Sequence, residues 1–160
     1  MTDDPVGGDG VAIRRATAAD ADAVADVYLA SFHATYDFPL AHTDDQVRAW
    51  LTGVVGGGGP SGADETWVAE VDGRVVALLV LDEAGIDQLY VEPAWIGRGI
   101  GGRLMATAKE ERPAGIGLYT FQVNDRARRF YQSHGFVATW FGDGKDNEEG
   151  QPDVRYEWRP

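Results

Sequence analysis

The spacing of apolar positions changes along the chain, and these changes mark the predicted elements. After a short strand at Val11 to Ala16, two segments repeat apolar residues every three or four positions, which indicates amphipathic helices. The capping patterns Thr17-Ala-Ala-Asp20 and Thr43-Asp-Asp-Gln46 precede these helices. An aromatic-rich loop is predicted between them at His33 to Ala41, and the glycine-rich segment Gly56 to Gly62 is predicted to be a flexible connection.

The middle of the chain changes to a strand pattern. Thr66 to Val71 and Arg74 to Leu81 are predicted to form a hairpin around Asp72-Gly73, a pair typical of two-residue turns. The second strand is apolar on both faces from Val75 onward, so it should lie in the centre of a covered sheet. Gly85 to Val91 is predicted to be the third strand of this group.

The second half of the chain alternates helices and strands. A helix follows the glycine-rich turn at Gly97 to Gly102, and a strand, a helix and two strands come after it. This order predicts one α/β domain, residues 11–160, with a central mixed and mostly antiparallel sheet flanked by helices. A βαβ crossover is expected around the glycine-rich turn. Residues 1–10 are predicted to be a disordered acidic tail.

The composition of the chain restricts the classes of ligand and partner that we expect it to bind. The chain has 160 residues, which fits one domain, and 14 Lys and Arg against 26 Asp and Glu give a formal net charge of −12. Such an acidic protein repels phosphate backbones, so nucleic acid is not expected as a partner and cationic small molecules are favoured. There is no cysteine, and the three histidines lack a zinc-ligand spacing, so no metal site is expected. Without a long apolar run or a signal peptide pattern, we expect a cytoplasmic protein with no membrane partner.

The glycine-rich turn is the strongest candidate for an anion site. A predicted strand ends at Glu92-Pro93, and a helix begins after glycines at positions 97, 99, 101 and 102. The first amide groups of a helix have no partner within it and lie at the positive end of the helix dipole. Glycine also allows an anion to approach the main chain closely. We therefore expect this turn to bind a phosphate group.

Two classes of phosphate ligand fit the turn. Gly97, Gly99 and Gly102 satisfy the G-x-G-x-x-G pattern of dinucleotide-binding proteins, which would make the protein a nucleotide-cofactor oxidoreductase. That pattern belongs in the first strand-to-helix turn of a long parallel sheet. Here it follows four predicted strands, and only 58 of the 160 residues come after Gly102. The position of the motif therefore disfavours this alternative.

The same segment resembles the GNAT superfamily of N-acetyltransferases. The pyrophosphate loop of that family reads R/Q-x-x-G-x-G/A, and Gly99 and Gly101 occupy its small positions. Leu89-Tyr90-Val91-Glu92-Pro93 matches the hydrophobic-x-Val-x-Pro end of the preceding strand. Ile96 stands where the family has Arg or Gln, a departure that the charges of Arg98 and Arg103 could offset. The resemblance implies that acetyl-CoA lies along Leu89, Tyr90 and Val91, with its pyrophosphate on Gly97, Arg98, Gly99, Ile100, Gly101 and Gly102.

A second motif of the same family lies at residues 124–136. Its spacing of Asn, Ala, Tyr and Gly-Phe is matched by Asn124, Ala127, Tyr131, Gly135 and Phe136. In the family the Asn contacts the CoA arm and the Tyr lies near the thioester sulfur. The resemblance therefore implies that Asn124 binds the cosubstrate and that Tyr131 protonates the departing thiolate. A phenol has a pKa of about 10, so it still carries its proton at neutral pH and is available as a donor.

The implied reaction is direct transfer of the acetyl group to a primary amine in a ternary complex. Only a neutral amine attacks, so a base must take its proton. GNAT members often carry a glutamate at the position of Gly85, and Asp87 lies two residues further on the same face of the predicted strand. Asp87 is therefore the first choice for the base, acting through water. Glu148 and Glu149 are second choices.

The acceptor is predicted to be a small cationic amine. In the GNAT fold the segment Phe32 to Phe38 and the acidic loop Gly142 to Asp153 lie near the acceptor site. Aromatic walls beside an acidic rim suit a cation. The candidate substrate contacts are Phe32, Tyr36, Glu148 and Glu149. GNAT domains often pair, so a homodimer is a further expectation. The alternative to an enzyme is a non-catalytic acyl-CoA-binding sensor, which Ile96 and the lack of an obvious base would favour.

Overall fold

The elements of the fold follow in the predicted order. The structure, a computed structural model, describes residues 10–57 and 64–160. Residues 1–9 of the predicted tail and residues 58–62 of the predicted connection lie outside the described residues. The strands and helices are β1 (Val11–Arg15), α1 (Ala21–Thr35), α2 (Asp44–Val55), β2 (Glu65–Val71), β3 (Arg74–Leu81), β4 (Ile86–Val91), α3 (Ile100–Glu111), β5 (Ile116–Phe121), α4 (Asp125–Ser133), β6 (Val137–Gly142) and β7 (Asp153–Trp158).

The strands form two antiparallel sheets, and this division is a feature that the sequence pattern did not predict. The first sheet has the order β1-β2-β3-β4 and the second has the order β5-β7-β6. A parallel bridge between Gly85 and Gly117 joins them. A Cβ on Gly85 would lie 2.5 Å from the Gly117 oxygen, so the bridge requires glycine at this position. Beyond the bridge β4 and β5 are not paired, and a wedge opens between them. The α/β class and the β4-α3-β5 crossover are confirmed.

Helices cover both faces of the first sheet. On one face α3 packs in a core that includes Leu79 and Leu104, and on the other α1 and α2 pack in a core that includes Leu78 and Leu51. Residues 75–81 of β3 are all buried, as predicted for a central strand covered on both sides. Among the described residues, no helix is both long and apolar enough to cross a bilayer.

The two helix starts differ from each other. The predicted capping box at Thr43 is confirmed, since Thr43 Oγ1 accepts from the Gln46 amide at 3.2 Å and the Thr43 amide donates to Gln46 Oε1 at 2.9 Å. Thr17 instead precedes a short 3₁₀ turn, and Asp20 accepts from the Thr17 amide at 2.7 Å. The helix that follows continues to Thr35, so the aromatic loop begins at Tyr36 rather than at His33. The Tyr36 amide closes the last helical turn by donating to the Phe32 carbonyl at 3.0 Å.

Candidate active site

A cleft of about 630 Å³ lies at the end of β4, beyond the glycine bridge, and residues of α1 contribute to its lining. Its walls are the end of β4, the glycine-rich turn before α3, and α4 with the residues that precede it. Because β5 leaves the edge of β4 open beyond the glycine bridge, the strand end, the turn and the helix face the same space. The predicted cosubstrate residues that line it are Leu89, Tyr90, Val91, Gly97, Gly99, Ile100, Gly101, Gly102 and Asn124, and Tyr131 lines it too.

The glycine-rich turn presents main-chain donors to the cleft. Gly97 and Gly99 have φ of +84° and +81°, a left-handed conformation that glycine adopts without a steric penalty. Gly99 caps α3, and the Arg103 amide donates to the Gly99 carbonyl at 3.2 Å as the first helical bond. The amide groups that come before Arg103 in the turn lack a helical acceptor, so they are suited to bind an anion in the cleft.

The arginines lie differently from the prediction. Arg98 is not among the residues that line the cleft, and its guanidinium lies 4.5 Å from the ring centre of Trp95, which does line it. Arg103 donates to the Val11 carbonyl at 2.7 Å. The cation that sequence reasoning missed is Arg126, which lines the cleft from the first turn of α4. Its place two residues after Asn124 in the second motif is the signal that would have indicated it. Ile96 lines the cleft with an aliphatic side chain.

The open edge of β4 faces the cleft. The Glu92 amide donates to the Val76 carbonyl at 2.8 Å, so the alternation of an antiparallel strand turns the Tyr90 amide toward β3 as well. The amides of Leu89 and Val91 therefore face away from β3, toward the cleft. Ser31 on α1 donates its hydroxyl to the Val91 carbonyl at 2.9 Å and so anchors this edge. Sequence reasoning missed Ser31, which had no signal beyond its place in the first helix.

Helix α4 places Asn124 and Tyr131 in the cleft. Asn124 caps the helix, since its Oδ1 accepts from the Ala127 amide at 3.1 Å, and its Nδ2 donates to the Tyr36 hydroxyl at 2.9 Å. Tyr131 lies two turns further along, buried except for 7% of its surface. Burial raises the pKa of Tyr131, and the nearby Tyr36 phenol adds to the effect, so Tyr131 keeps its proton at neutral pH.

A second pocket of about 270 Å³ adjoins the cleft at Tyr90, which lines both. Its aromatic lining residues are Tyr28, Phe32, Tyr36, Tyr90, Tyr119 and Phe121, and its carboxylates are Asp87, Glu149 and Asp153. The structure therefore brings together four of the predicted residues, namely Asp87, Phe32, Tyr36 and Glu149. Asp153 ends the acidic loop that was predicted to lie near the acceptor, whereas Tyr28, Tyr119 and Phe121 were not predicted as contacts.

Glu148 does not line this pocket. Its Oε2 lies 2.6 Å from Nε2 of His42, in a hydrogen bond between the acidic loop and the segment that precedes α2. Glu148 and Glu149 are adjacent in an irregular loop, where the sequence alone does not fix which side chain faces inward. The structure therefore separates two residues that the sequence analysis grouped.

The electrostatics of the second pocket single out Asp87. Asp87 is an exposed residue of β4, but partial loss of solvation at its carboxylate raises the pKa of Asp87 to about 6, and repulsion from Asp82 and Asp64 adds to this shift. A carboxylate with a pKa near neutrality can both accept and release a proton at the working pH. Burial raises the pKa of Tyr36, and the negative charge of Glu149 contributes in the same direction. The Glu149 carboxylate therefore acts on the interior of the pocket.

Comparison with known proteins identifies the family. The sequence profile described as "Acetyltransferase (GNAT) domain" matches residues 62–138. An uncharacterized N-acetyltransferase of Archaeoglobus fulgidus is 32% identical over 76% of this chain and 89% of its own length. This chain belongs to the GNAT family. The peptidyl-lysine N-acetyltransferase YiaC of Escherichia coli is also 32% identical, over 45% of this chain and 49% of its own length.

Solved structures of other proteins share the GNAT fold. Apo YjaB from Escherichia coli aligns with a TM-score of 0.74 and 24% identity, over 92% of this chain and 97% of that one. The PaiA N-acetyltransferase of Thermoplasma acidophilum, solved in complex with coenzyme A, aligns with a TM-score of 0.70 and 18% identity, over 94% and 99% of the two chains. In both comparisons the likeness covers more than nine tenths of this chain.

Membership in the GNAT family decides between the two phosphate ligands. The dinucleotide alternative is wrong, because the glycine-rich turn belongs to an N-acetyltransferase domain. Acetyl-CoA is the cosubstrate of this family, as expected from the two motifs. The turn of this GNAT protein also has the room for such a ligand. A Cβ placed on Gly97 or Gly99 would meet no atom within 4 Å, so the space over the turn is open.

Proposed function

We propose that this GNAT protein transfers the acetyl group of acetyl-CoA directly to the primary amine of a small cationic molecule. The observation that carries the proposal is the junction at Tyr90, where the cleft meets a pocket with aromatic walls and carboxylates. Two substrates bound on the two sides of this junction can react without a covalent enzyme intermediate. The absence of cysteine from the sequence agrees with such a direct transfer.

Acetyl-CoA is proposed to bind mainly through main-chain groups. Its pyrophosphate would lie on the amides of residues 97–102, and Arg126 would add a positive charge. Its pantetheine arm would follow the open edge of β4 at Leu89 and Val91. Gly101 allows α3 to lie close to α4, since a Cβ there would lie only 3.3 Å from the ring of Phe130. Because amides rather than side chains hold the phosphates, Ile96 is compatible with binding.

The reaction needs one proton acceptor and one proton donor. The lone pair of the neutral amine forms the new C–N bond at the thioester carbonyl, and the Val91 amide would stabilise the oxyanion. Asp87, with a pKa of about 6, is ionised at neutral pH and would take the amine proton through water. The C–S bond then breaks, and Tyr131 would give its phenol proton to the departing thiolate.

The second pocket supports a small cation as the acceptor. Its volume of about 270 Å³ lies just below the range of pockets for drug-sized ligands, about 300–1,000 Å³. Aromatic faces and carboxylates both attract an ammonium group. Asp87 would receive the proton of the reacting amine, while Glu149 and Asp153 would hold the positive charge that remains on the molecule. Diamines and other multiply charged amines are therefore favoured over acidic ones.

A panel of amines assayed for CoA release tests the proposal. We expect release with cationic amines and none with acidic ones. Glu149→Gln should raise the KM of a diamine about tenfold, the effect of one lost charged hydrogen bond. Glu148→Gln is the matched control, because Glu148 pairs with His42 outside the pocket, and its KM should not change.

Two outcomes would contradict the proposal. Equal KM values for Glu149→Gln and the unchanged protein would mean that charge does not select the acceptor. If acetyl-CoA raised the melting temperature but no amine gave CoA release, the cleft would be a binding site for a sensor rather than a catalytic site.

A further inference from the structure

A hydrogen bond between Tyr36 and Asn124 connects the two pockets. Asn124 Nδ2 donates to the Tyr36 hydroxyl at 2.9 Å, across 88 positions of sequence. Tyr36 lines the pocket proposed for the amine, and Asn124 lines the cleft proposed for acetyl-CoA. The bond is therefore a direct contact between the walls of the two substrate sites.

The Tyr36 end of this bond is rigidly held. Its amide caps α1 through the Phe32 carbonyl at 3.0 Å. Its ring lies 4.8 Å from the ring centre of Phe32, 4.9 Å from that of Phe38 and 5.2 Å from that of Phe121. The hydroxyl thus extends from this aromatic cluster toward α4, where Asn124 donates to it, and Thr120 on β5 is a second hydrogen-bond partner.

The Asn124 end controls the start of α4. Its Oδ1 accepts from the Ala127 amide, so both polar groups of the side chain are used, one for the helix and one for Tyr36. Helix α4 has only nine residues, and a helix this short depends on its cap and its packing. Tyr131 lies on this helix two turns after Asn124. The orientation of the cap therefore affects where the Tyr131 hydroxyl lies.

We propose that Tyr36 is a positioning residue, whose hydroxyl holds Asn124 and thereby fixes Tyr131 relative to the amine. The inference rests on the proposed function, in which Tyr131 is the proton donor. Without the bond, Asn124 is free to change rotamer, and the first turn of α4 loses part of its support. A small displacement of a catalytic group has a large effect on rate, since misplacement by about 1 Å costs up to about 100-fold.

Tyr36→Phe tests the role of the hydroxyl, because it keeps the ring in the aromatic cluster. We expect kcat for CoA release to fall about tenfold, the factor equivalent to one hydrogen bond. The KM values of the amine and of acetyl-CoA should stay within about twofold, because the aromatic wall and the glycine-rich turn are unchanged. An effect on the KM of the amine alone would show that the hydroxyl contacts the substrate, and it would overturn the inference.

Asn124→Ser is the second variant, since serine caps a helix as well as asparagine does but is too short to reach Tyr36. It should lower kcat by about the same factor as Tyr36→Phe. In the double variant the two losses should not multiply, because either change alone already breaks the bond. Losses that multiply would mean that the two residues act independently, contrary to the inference.

Hydrogen exchange separates this inference from the proposed function. Without substrates, the amides of residues 125–128 should exchange several-fold faster in Tyr36→Phe than in the unchanged protein. If no amine gave CoA release, the proposed function would fail while the exchange rates still reported on the bond. Unchanged exchange rates in Tyr36→Phe would overturn the inference, whatever the activity.

Discussion

Asp87→Asn is the substitution that tests the proposed chemistry most directly. It replaces the carboxylate by a neutral amide of nearly the same size, so the pocket keeps its shape and loses only its base. A positioned general base typically contributes about 100- to 10,000-fold to a rate. We therefore expect kcat at pH 7.5 to fall at least about 100-fold, with little change in the KM of acetyl-CoA, whose cleft Asp87 does not line.

The pKa of Asp87 sets the size of the expected change in kcat with pH. With a pKa of about 6, the ionised fraction of Asp87 rises from about one tenth at pH 5 to about nine tenths at pH 7. At saturating amine, kcat should rise about tenfold over this interval and then level off. Two amines of different pKa should show the same step near pH 6, whereas a step due to the amine itself would move with the amine. Asp87→Asn should lack the step.

Stability should change in the opposite direction to activity. The pKa of Asp87 is higher in the folded protein than its ordinary value of 3.8, so folding favours the protonated carboxyl. Its contribution to stability is present below about pH 4 and is lost as the pH rises toward 6. Thermal unfolding should therefore show Asp87→Asn to be at least as stable as the unchanged protein at pH 7. The difference should disappear below pH 4.

Either of two results would contradict the assignment of Asp87 as the base. A fall in kcat of less than about threefold would mean that Asp87 is not the base. A step near pH 6 that persists in Asp87→Asn would assign the titration to another group, and Glu149 would then be the carboxylate to replace next.

Three further predictions concern the acid, the glycine bridge and the ion pair near the N-terminal strand. Tyr131→Phe should lower kcat at least about 100-fold while the Kd of acetyl-CoA, measured by calorimetry, stays unchanged; an undiminished rate would remove Tyr131 from the mechanism. Gly85→Ala should destabilise the protein by more than about 2 kcal/mol in denaturant unfolding, because the new Cβ would overlap the Gly117 main chain, and a smaller loss would mean that the bridge is not close-packed. Asp20→Asn should cost about 2 kcal/mol at pH 7, since the Arg14 guanidinium lowers the pKa of Asp20 to about 2. That difference should shrink as the pH falls from about 4 to 2, and a constant difference in chemical denaturation would contradict the ion-pair explanation.

The sequence by itself determined the local elements of this protein. The capping box at Thr43, the turn at Asp72-Gly73 with φ of 50° and 80°, and the buried central strand all follow from neighbouring residues. Each depends on interactions between residues a few positions apart in sequence. Residue propensities and the spacing of apolar residues predict such interactions well. The glycine-rich turn and the Asn-to-Tyr spacing of α4 are local for the same reason. These two motifs predicted where the cleft proposed for acetyl-CoA lies, and they indicated the family.

Only the tertiary structure decided how these elements form two adjoining pockets. The sheet divides at the contact of Gly85 with Gly117, and the Tyr36 bond to Asn124 spans 88 positions. No periodic pattern encodes such contacts, because they depend on how distant elements pack.

In irregular segments the sequence also did not predict which side chains face a pocket. Glu149 lines the pocket while Glu148 pairs with His42, and Arg126 lines the cleft in place of Arg98. In a loop or a tight turn, the direction of a side chain follows from the packing around it rather than from its position in a repeat. The sequence therefore determined the chemistry available to this protein, and the packing of its elements decided which groups line the two pockets.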